Sequence, residues 1–118
     1  MRIVSIDSRE VREDDLFFAI RGDRFDGHDF VASALAAGAG GAVVERVPSG
    51  VAGEALGRLL VVPDTGKALG RLAAWYRKHL ACPVIAVTGS NGKTTTKEMI
   101  FHLLSVKFRG ERAAKSFN

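Results

Sequence analysis

One stretch of this chain constrains its fold more than any other. Residues 84–88, Val-Ile-Ala-Val-Thr, form a continuous apolar run. Gly89-Ser90-Asn91-Gly92 follows, and Lys93 opens a segment with Met99, Ile100, Leu103 and Leu104 at helical spacing. A short run apolar on both faces predicts a strand buried in a parallel sheet. The glycines predict a tight loop, and the spacing predicts a helix over about 93–106 with those four residues as its buried stripe.

Strand, glycine loop and helix in that order form an anion site. Glycine lets the backbone approach a phosphate without a Cβ in the way. The first N–H groups of the helix lack internal partners, and the helix dipole favours negative charge there. Lys93 adds a point charge for the β- and γ-phosphates of a nucleotide, and the Thr94 hydroxyl is placed to complete a Mg²⁺ shell. The general pattern G-x-x-x-x-G-K-[ST] wants glycine where Val87 stands; here the first glycine, Gly89, comes two residues later. A structurally capped βα turn is therefore the other reading. A match at Gly89, Asn91, Gly92, Lys93 and Thr94 arises by chance with a frequency of about 10⁻⁴ in a chain this long, which favours nucleotide binding.

The rest of the chain reads as alternating strands and helices. Strands are expected over 2–6, 16–20, 41–45 and 59–62. A helix is expected over 28–38, with Phe30, Val31, Ala34 and Leu35 on one face and Gly38 placed to stop it. A second runs from an Asp64 or Thr65 cap to about Leu80, with Leu69, Leu72, Ala73 and Tyr76 along one face, and Cys82-Pro83 breaks it. Residues 48–57 read as surface, and 112–116 as the opening of another strand. The class is α/β.

Charge divides the chain where its organisation changes. Residues 1–66 carry 7 Lys/Arg and 11 Asp/Glu, a net of −4, whereas residues 67–118 carry 10 and 2, a net of +8. A basic half fits a polyanion, either a nucleotide or nucleic acid; its Lys and Arg residues lack the aromatic interleaving of a single-strand binder, which argues against nucleic acid. No apolar run has membrane-spanning length, no secretory signal opens the chain, and one cysteine, Cys82, excludes an internal disulfide. A cytoplasmic protein without membrane insertion fits.

The segment 88–96, Thr-Gly-Ser-Asn-Gly-Lys-Thr-Thr-Thr, resembles the ATP loop of the Mur ligases, ATP-dependent amide-forming enzymes of peptidoglycan precursor synthesis. The shifted first glycine is that family's normal form. The N-terminal half agrees independently: Asp7-Ser8-Arg9, the run from Asp15 to Gly22, the run from Phe25 to Phe30, and Ala37-Gly38-Ala39 look like the family's small uridine-binding domain. Within the family, residues 94–99, 64–70 and the closing 114–118 look most like the member that adds D-alanyl-D-alanine. The member adding the third stem amino acid shares the Asp-Ser-Arg and Asp-Gly segments and is the competing reading.

The resemblance implies a UDP-MurNAc-binding domain over 1–81 and the opening strand, P-loop and helix of a Rossmann-like ATP-binding domain over 82–118. It implies an ATP set of Gly89, Ser90, Asn91, Gly92, Lys93, Thr94 and Thr95, with Lys93 catalytic and Thr94 on Mg²⁺. Ser8, Asp23, Arg24 and Phe25 fall at positions facing the uridine diphosphate end of the sugar nucleotide. The bland reading makes Ser8-Arg9 a polar turn and Phe25 a core residue.

The implied reaction phosphorylates the terminal carboxylate of UDP-MurNAc-tripeptide, and D-Ala-D-Ala then attacks the acyl phosphate. The family's Mg²⁺ glutamate, its histidine, its carbamylated lysine and its third domain all come later than residue 118. The expectation is therefore an N-terminal piece, inactive alone, of a ligase that is monomeric at full length. A non-catalytic UDP-sugar-binding module is the alternative. A small unrelated P-loop kinase or GTPase would need its own Mg²⁺-binding Asp after a later strand, and none follows Lys93. Among other residues, His28 is expected to order a loop, Cys82 to be a packed thiol, and Trp75 and Tyr76 to pack at a helix surface. Lys97 and His102 are expected on a solvated face.

Overall fold

The structure, a computed structural model, describes residues 4–114. They fall into two compact units that divide between Leu80 and Ala81. In the first, four short strands form one parallel sheet in chain order: β1 (Val4–Ser5), β2 (Leu16–Phe18), β3 (Gly41–Val44) and β4 (Leu59–Val61). Register places Phe17 beside Ala42 and Phe18 beside Val43. Because side chains alternate across a strand, Phe17, Ala42 and Val44 share one face while Leu16, Phe18 and Val43 share the other.

The first face is covered by the segment between β2 and β3. It starts as a 3₁₀ turn, Gly27–Phe30, and continues as α1 (Val31–Ala36). The helix expected over 28–38 is thus split, because Asp26 and the His28 ring fix the first turn in tighter geometry. Val31, Ala34 and Leu35 pack with Phe17, Ala19, Ala39, Ala42, Val44 and Val51 into the core. Gly38 ends α1 as expected: its N–H bonds the Leu35 carbonyl at 3.3 Å, and Ala39 N–H bonds that of Ala34 at 3.0 Å. Arg58 donates to the Ala39 and Leu35 carbonyls at 3.3 and 3.4 Å, so a basic side chain serves the same helix end.

α2 (Thr65–His79) starts where the sequence indicates, and of the two candidate caps Asp64 takes the part, its carboxylate accepting from Lys67 N–H at 2.8 Å. Thr65 is instead buried in the first turn. The expected stripe of Leu69, Leu72, Ala73 and Tyr76 lines an apolar groove of about 560 Å³, facing Val4, Leu16 and Gly41. The helix thus flanks the second sheet face.

In the second unit, α3 (Lys93–Ser105) forms as expected. Its apolar stripe does not become a core: Met99, Leu103 and Leu104 are 60%, 72% and 41% exposed. Residues 84–88 have no regular secondary structure and no strand pairing among the described residues, with Val84 and Ile85 more than half exposed. A parallel strand exists through its ladder, and no described segment supplies one. Cys82 is exposed rather than packed for the same lack of a covering layer. Arg112, Ala113 and Ala114 are irregular, while Lys115 to Asn118, like Arg2 and Ile3 of the first expected strand, lie outside the described residues.

Candidate functional site

The loop between residue 88 and α3 has the backbone its glycines predict. Gly89 has φ 144° and Gly92 φ 75°, ψ 8°, a left-handed conformation in which Gly92 occupies the N-cap of α3. A Cβ there would meet nothing within 4 Å; the space over the helix start is open, and no side chain caps it. Thr96 N–H makes the bond to Gly92 O at 2.9 Å, so the amides of Lys93, Thr94 and Thr95 lie outside the helical ladder. Lys93 Nζ folds back to the Gly89 carbonyl at 2.6 Å, bracing the loop while two of its three N–H donors remain for an anion.

The donor set fits a magnesium nucleotide. The loop carries no carboxylate, presents backbone amides and an ammonium, and has the Thr94 hydroxyl on the first helical turn. Lys97 does not join it. Lys97 is mostly covered, donates to Ala113 O at 2.6 Å and lies 3.6 Å from Glu98, contrary to the solvated position expected for it. Arg112 pairs with Glu98 at 2.8 Å and lies over the Phe101 ring, holding the Glu98 carboxyl below its usual range. A carbonyl beyond α3 thus claims the lysine. His102 is exposed, as expected.

In the first unit the remaining sequence-expected residues gather by topology. Ser8 lies in the turn after β1, Asp23, Arg24 and Phe25 in the loop after β2, and Glu45 and Arg46 just past β3. Since β1, β2 and β3 are parallel neighbours, all leave the sheet at one carboxyl edge, where open α/β sheets hold ligands. Phe25 is 71% exposed, so the core reading of that residue fails. Arg9 is committed elsewhere: its Nε and Nη2 grip the two Asp7 carboxylate oxygens at 2.9 and 2.7 Å. A polar depression of about 660 Å³ lies beside it, lined by Ser5, Arg9, Glu10 and Arg12 among others, but neither Ser8 nor 23–25 lines it.

Behind the 23–25 loop is a network that sequence reading found only in part. His28, expected to order a loop, does so: its ring is buried and bonded to Asp26. The sequence reading points to neither Glu45 nor Arg46, and offers Thr65 only as a helix cap. The Thr65 hydroxyl shares its one proton between Ala19 O at 3.0 Å and Glu45 Oε1 at 3.2 Å, while Arg46 Nη2 meets Asp26 Oδ2 at 2.8 Å. Arg46, then the His28 amide, then the His28 ring hold the Asp26 carboxyl well below the usual carboxylate range. One signal was available: Glu45 is a charge ending an apolar strand.

Comparison with known proteins follows the same two units. The family described as "Mur ligase family, catalytic domain" matches residues 1–77, and the "Mur ligase middle domain" matches residues 87–116. The UDP-N-acetylmuramoyl-tripeptide–D-alanyl-D-alanine ligase of Bacillus subtilis is 41% identical over 98% of this chain and 25% of its own length. The UDP-N-acetylmuramoyl-L-alanyl-D-glutamate–2,6-diaminopimelate ligase of Aquifex aeolicus is 42% identical over 86% of this chain and 20% of its own. Among solved structures, the MurF ligase of Thermotoga maritima in complex with ADP superposes with a TM-score of 0.70 at 42% identity, covering 90% of this chain and 24% of that one. The chain spans about a quarter of the length of the curated relatives it matches.

Proposed function

The chain belongs to the Mur ligase family, and from that premise we propose that it supplies the nucleotide-handling parts of the ligase that joins D-Ala-D-Ala to UDP-MurNAc-tripeptide. Residues 1–81 are the UDP-MurNAc-binding domain, and residues 82–118 open the ATP-binding domain. The observation that carries this is the agreement of two independent sites. An amide-lined loop with Lys93 at its mouth suits a polyphosphate, and an exposed Arg24 and Phe25 at the sheet's carboxyl edge suit a diphosphate and a uracil ring.

In the reaction, the γ-phosphoryl group passes from ATP to the substrate carboxylate, and the dipeptide amine displaces phosphate from the acyl phosphate to give the amide. Positioning and charge neutralisation dominate such transfers. Gly89, Ser90, Asn91 and Gly92 shape the cradle. The amides of Lys93, Thr94 and Thr95 take phosphate oxygens, and Lys93 is the catalytic cation for the β- and γ-phosphates. The Thr94 hydroxyl would help to hold a Mg²⁺ ion, which when bound would supply further charge neutralisation for the phosphates. Ser8, Asp23, Arg24 and Phe25 hold the uridine diphosphate end. The same reading carries a cytoplasmic location and a monomeric whole ligase. Among the described residues no helix is long and apolar enough to cross a membrane.

A second reading, the ligase that adds the third stem residue, is favoured by the Aquifex relative at 42% identity. The D-Ala-D-Ala reading stands ahead because the Bacillus relative matches 98% of the chain, against 86%. Calorimetric titration of the 118-residue chain with UDP-MurNAc-tripeptide, and separately with Mg-ADP, tests the proposal. Heat is expected with both, and Lys93→Met weakens Mg-ADP about tenfold or more while leaving the UDP-sugar unchanged. Absence of heat with either at millimolar concentration overturns it.

A further inference from the structure

The loop that carries Asp23, Arg24 and Phe25 is held at its neck rather than at its tip. Arg21 and Asp26 form an antiparallel bridge, Gly22 N–H closes on Phe25 O at 2.9 Å, and Gly27 N–H bonds Ile20 O at 2.9 Å. A Cβ on Gly27 would lie 2.6 Å from the Ile20 nitrogen, so only glycine permits this closure. The tip residues 23–25 are exposed. Whatever fixes the neck therefore fixes what the tip presents.

Asp26 does that fixing, and His28 fixes Asp26. Asp26 Oδ1 accepts the His28 backbone N–H at 3.0 Å and meets His28 Nδ1 at 2.6 Å, while Oδ2 accepts from Arg46 at 2.8 Å. On its far side the ring receives the Glu45 backbone N–H on Nε2 at 2.8 Å. A nitrogen that accepts carries no proton, so in this neutral ring the proton sits on Nδ1 and is donated to Asp26. The ring is 2% exposed. It joins the end of β3 to the neck of the 21–27 loop, with one tautomer and one orientation.

The geometry points to His28 as a positioning residue: through Asp26 it pre-orders the 21–27 loop so that Asp23, Arg24 and Phe25 meet the uridine diphosphate end already arranged. This rests on the reading of that loop given above. Exposed loops lose conformational freedom on binding, and that cost lowers affinity unless it is met on folding. A buried ring wedged between a strand end and a carboxylate meets it in advance, without touching the ligand.

The two arms of the ring are separable. His28→Asn keeps an amide nitrogen where Nδ1 stood and so retains the grip on Asp26, but loses the acceptor for Glu45 N–H. His28→Gln keeps an amide oxygen where Nε2 stood and so retains the β3 bond, but loses the donor to Asp26. In the 118-residue chain, three quantities decide the matter: the melting temperature, NMR exchange of the Gly22 amide without ligand, and UDP affinity by calorimetry.

Both variants are expected to melt lower by similar amounts, since each loses one buried bond. Only His28→Gln should speed Gly22 exchange and weaken UDP, by about tenfold for one charge-assisted bond. His28→Asn should stay near wild type in both. Affinity that tracks melting temperature across the two variants, or Gly22 exchange unchanged in His28→Gln, overturns the positioning role. A wild-type chain that takes up no UDP at millimolar concentration overturns the loop's assignment, and the inference with it. Gly22 exchange, read without ligand, tells the two failures apart.

Discussion

Arg46 and the His28 amide and ring strongly favour the charged form of Asp26, and the effect on stability has a definite sign. The folded pKa of Asp26 lies below the ordinary carboxylate value near 4. Such a group contributes stability that is fully present above the unfolded pKa and is lost as pH falls toward the folded one. Asp26→Asn should therefore be less stable than wild type at pH 7, and the gap should narrow between about pH 4 and 2, the window set by the unfolded carboxylate. Urea unfolding at a series of pH values measures it; a gap constant with pH would mean that packing, not charge, is what the substitution removes. At this scale the sequence was legible wherever a side chain acts on near neighbours. Asp64 as a cap and Gly38 as a helix stop follow from residues within four positions, as does the bond of His28 to Asp26, whereas the other bond of His28, to the Glu45 amide, spans seventeen residues. Glu45 and Thr65 did not follow, because their bond spans twenty residues of chain and exists only once β3 and α2 are placed. Cys82 and Lys97 were misplaced for a related reason: burial and partnership depend on which segments come to cover them.

Elements obey the same division between local cause and tertiary consequence. α2 has the right start, length and stripe because its cap and its spacing are local properties. The cap also outweighs the neighbouring ion pair. Asp64 bonds the Lys67 amide at 2.8 Å, whereas the Lys67 ammonium lies 4.0 Å from its carboxylate with the lysine 80% exposed. An N-cap is worth about 1 kcal/mol, an exposed pair typically a few tenths. Asp64→Ala should cost about 1 kcal/mol in urea unfolding, and Asp64→Asn, which keeps the cap and drops the charge, only a small part of that. Equal losses in the two variants would put the ion pair first. The first helical segment shows where locality ends: the 3.6-residue spacing was right from Val31 onward, but the turn before it was tightened by the side chain of Asp26 and the buried His28 ring. Residues 84–88 show it more sharply, since a β-run specifies only a propensity to pair and pairing needs a second segment.

Across the whole chain, stability is expected to be uneven in a way that composition conceals. The first unit encloses Phe17, Val31, Ala42 and Val44, each no more than 1% exposed, between a paired sheet and α1. In the second unit α3 buries no residue, and an isolated helix of this length is marginal in water because one hydrogen bond must offset three ordered residues at nucleation. Charge adds to the contrast: residues 81–118 carry 6 Lys/Arg and 2 Asp/Glu, a net of +4, whereas residues 1–80 carry 11 of each and satisfy Asp26 and Glu45 with Arg46 and Arg21. Native-state hydrogen exchange of the 118-residue chain should therefore find the slowest amides in β2 and β3 and amides of α3 exchanging faster by orders of magnitude, since local opening there exposes little apolar surface. Mg-ADP should slow the amides of Lys93, Thr94 and Thr95 first, because those are the ones a phosphate would take. Protection in α3 equal to that in β3 without ligand would overturn the expectation, since it would require a buried face that Met99, Leu103 and Leu104 do not have.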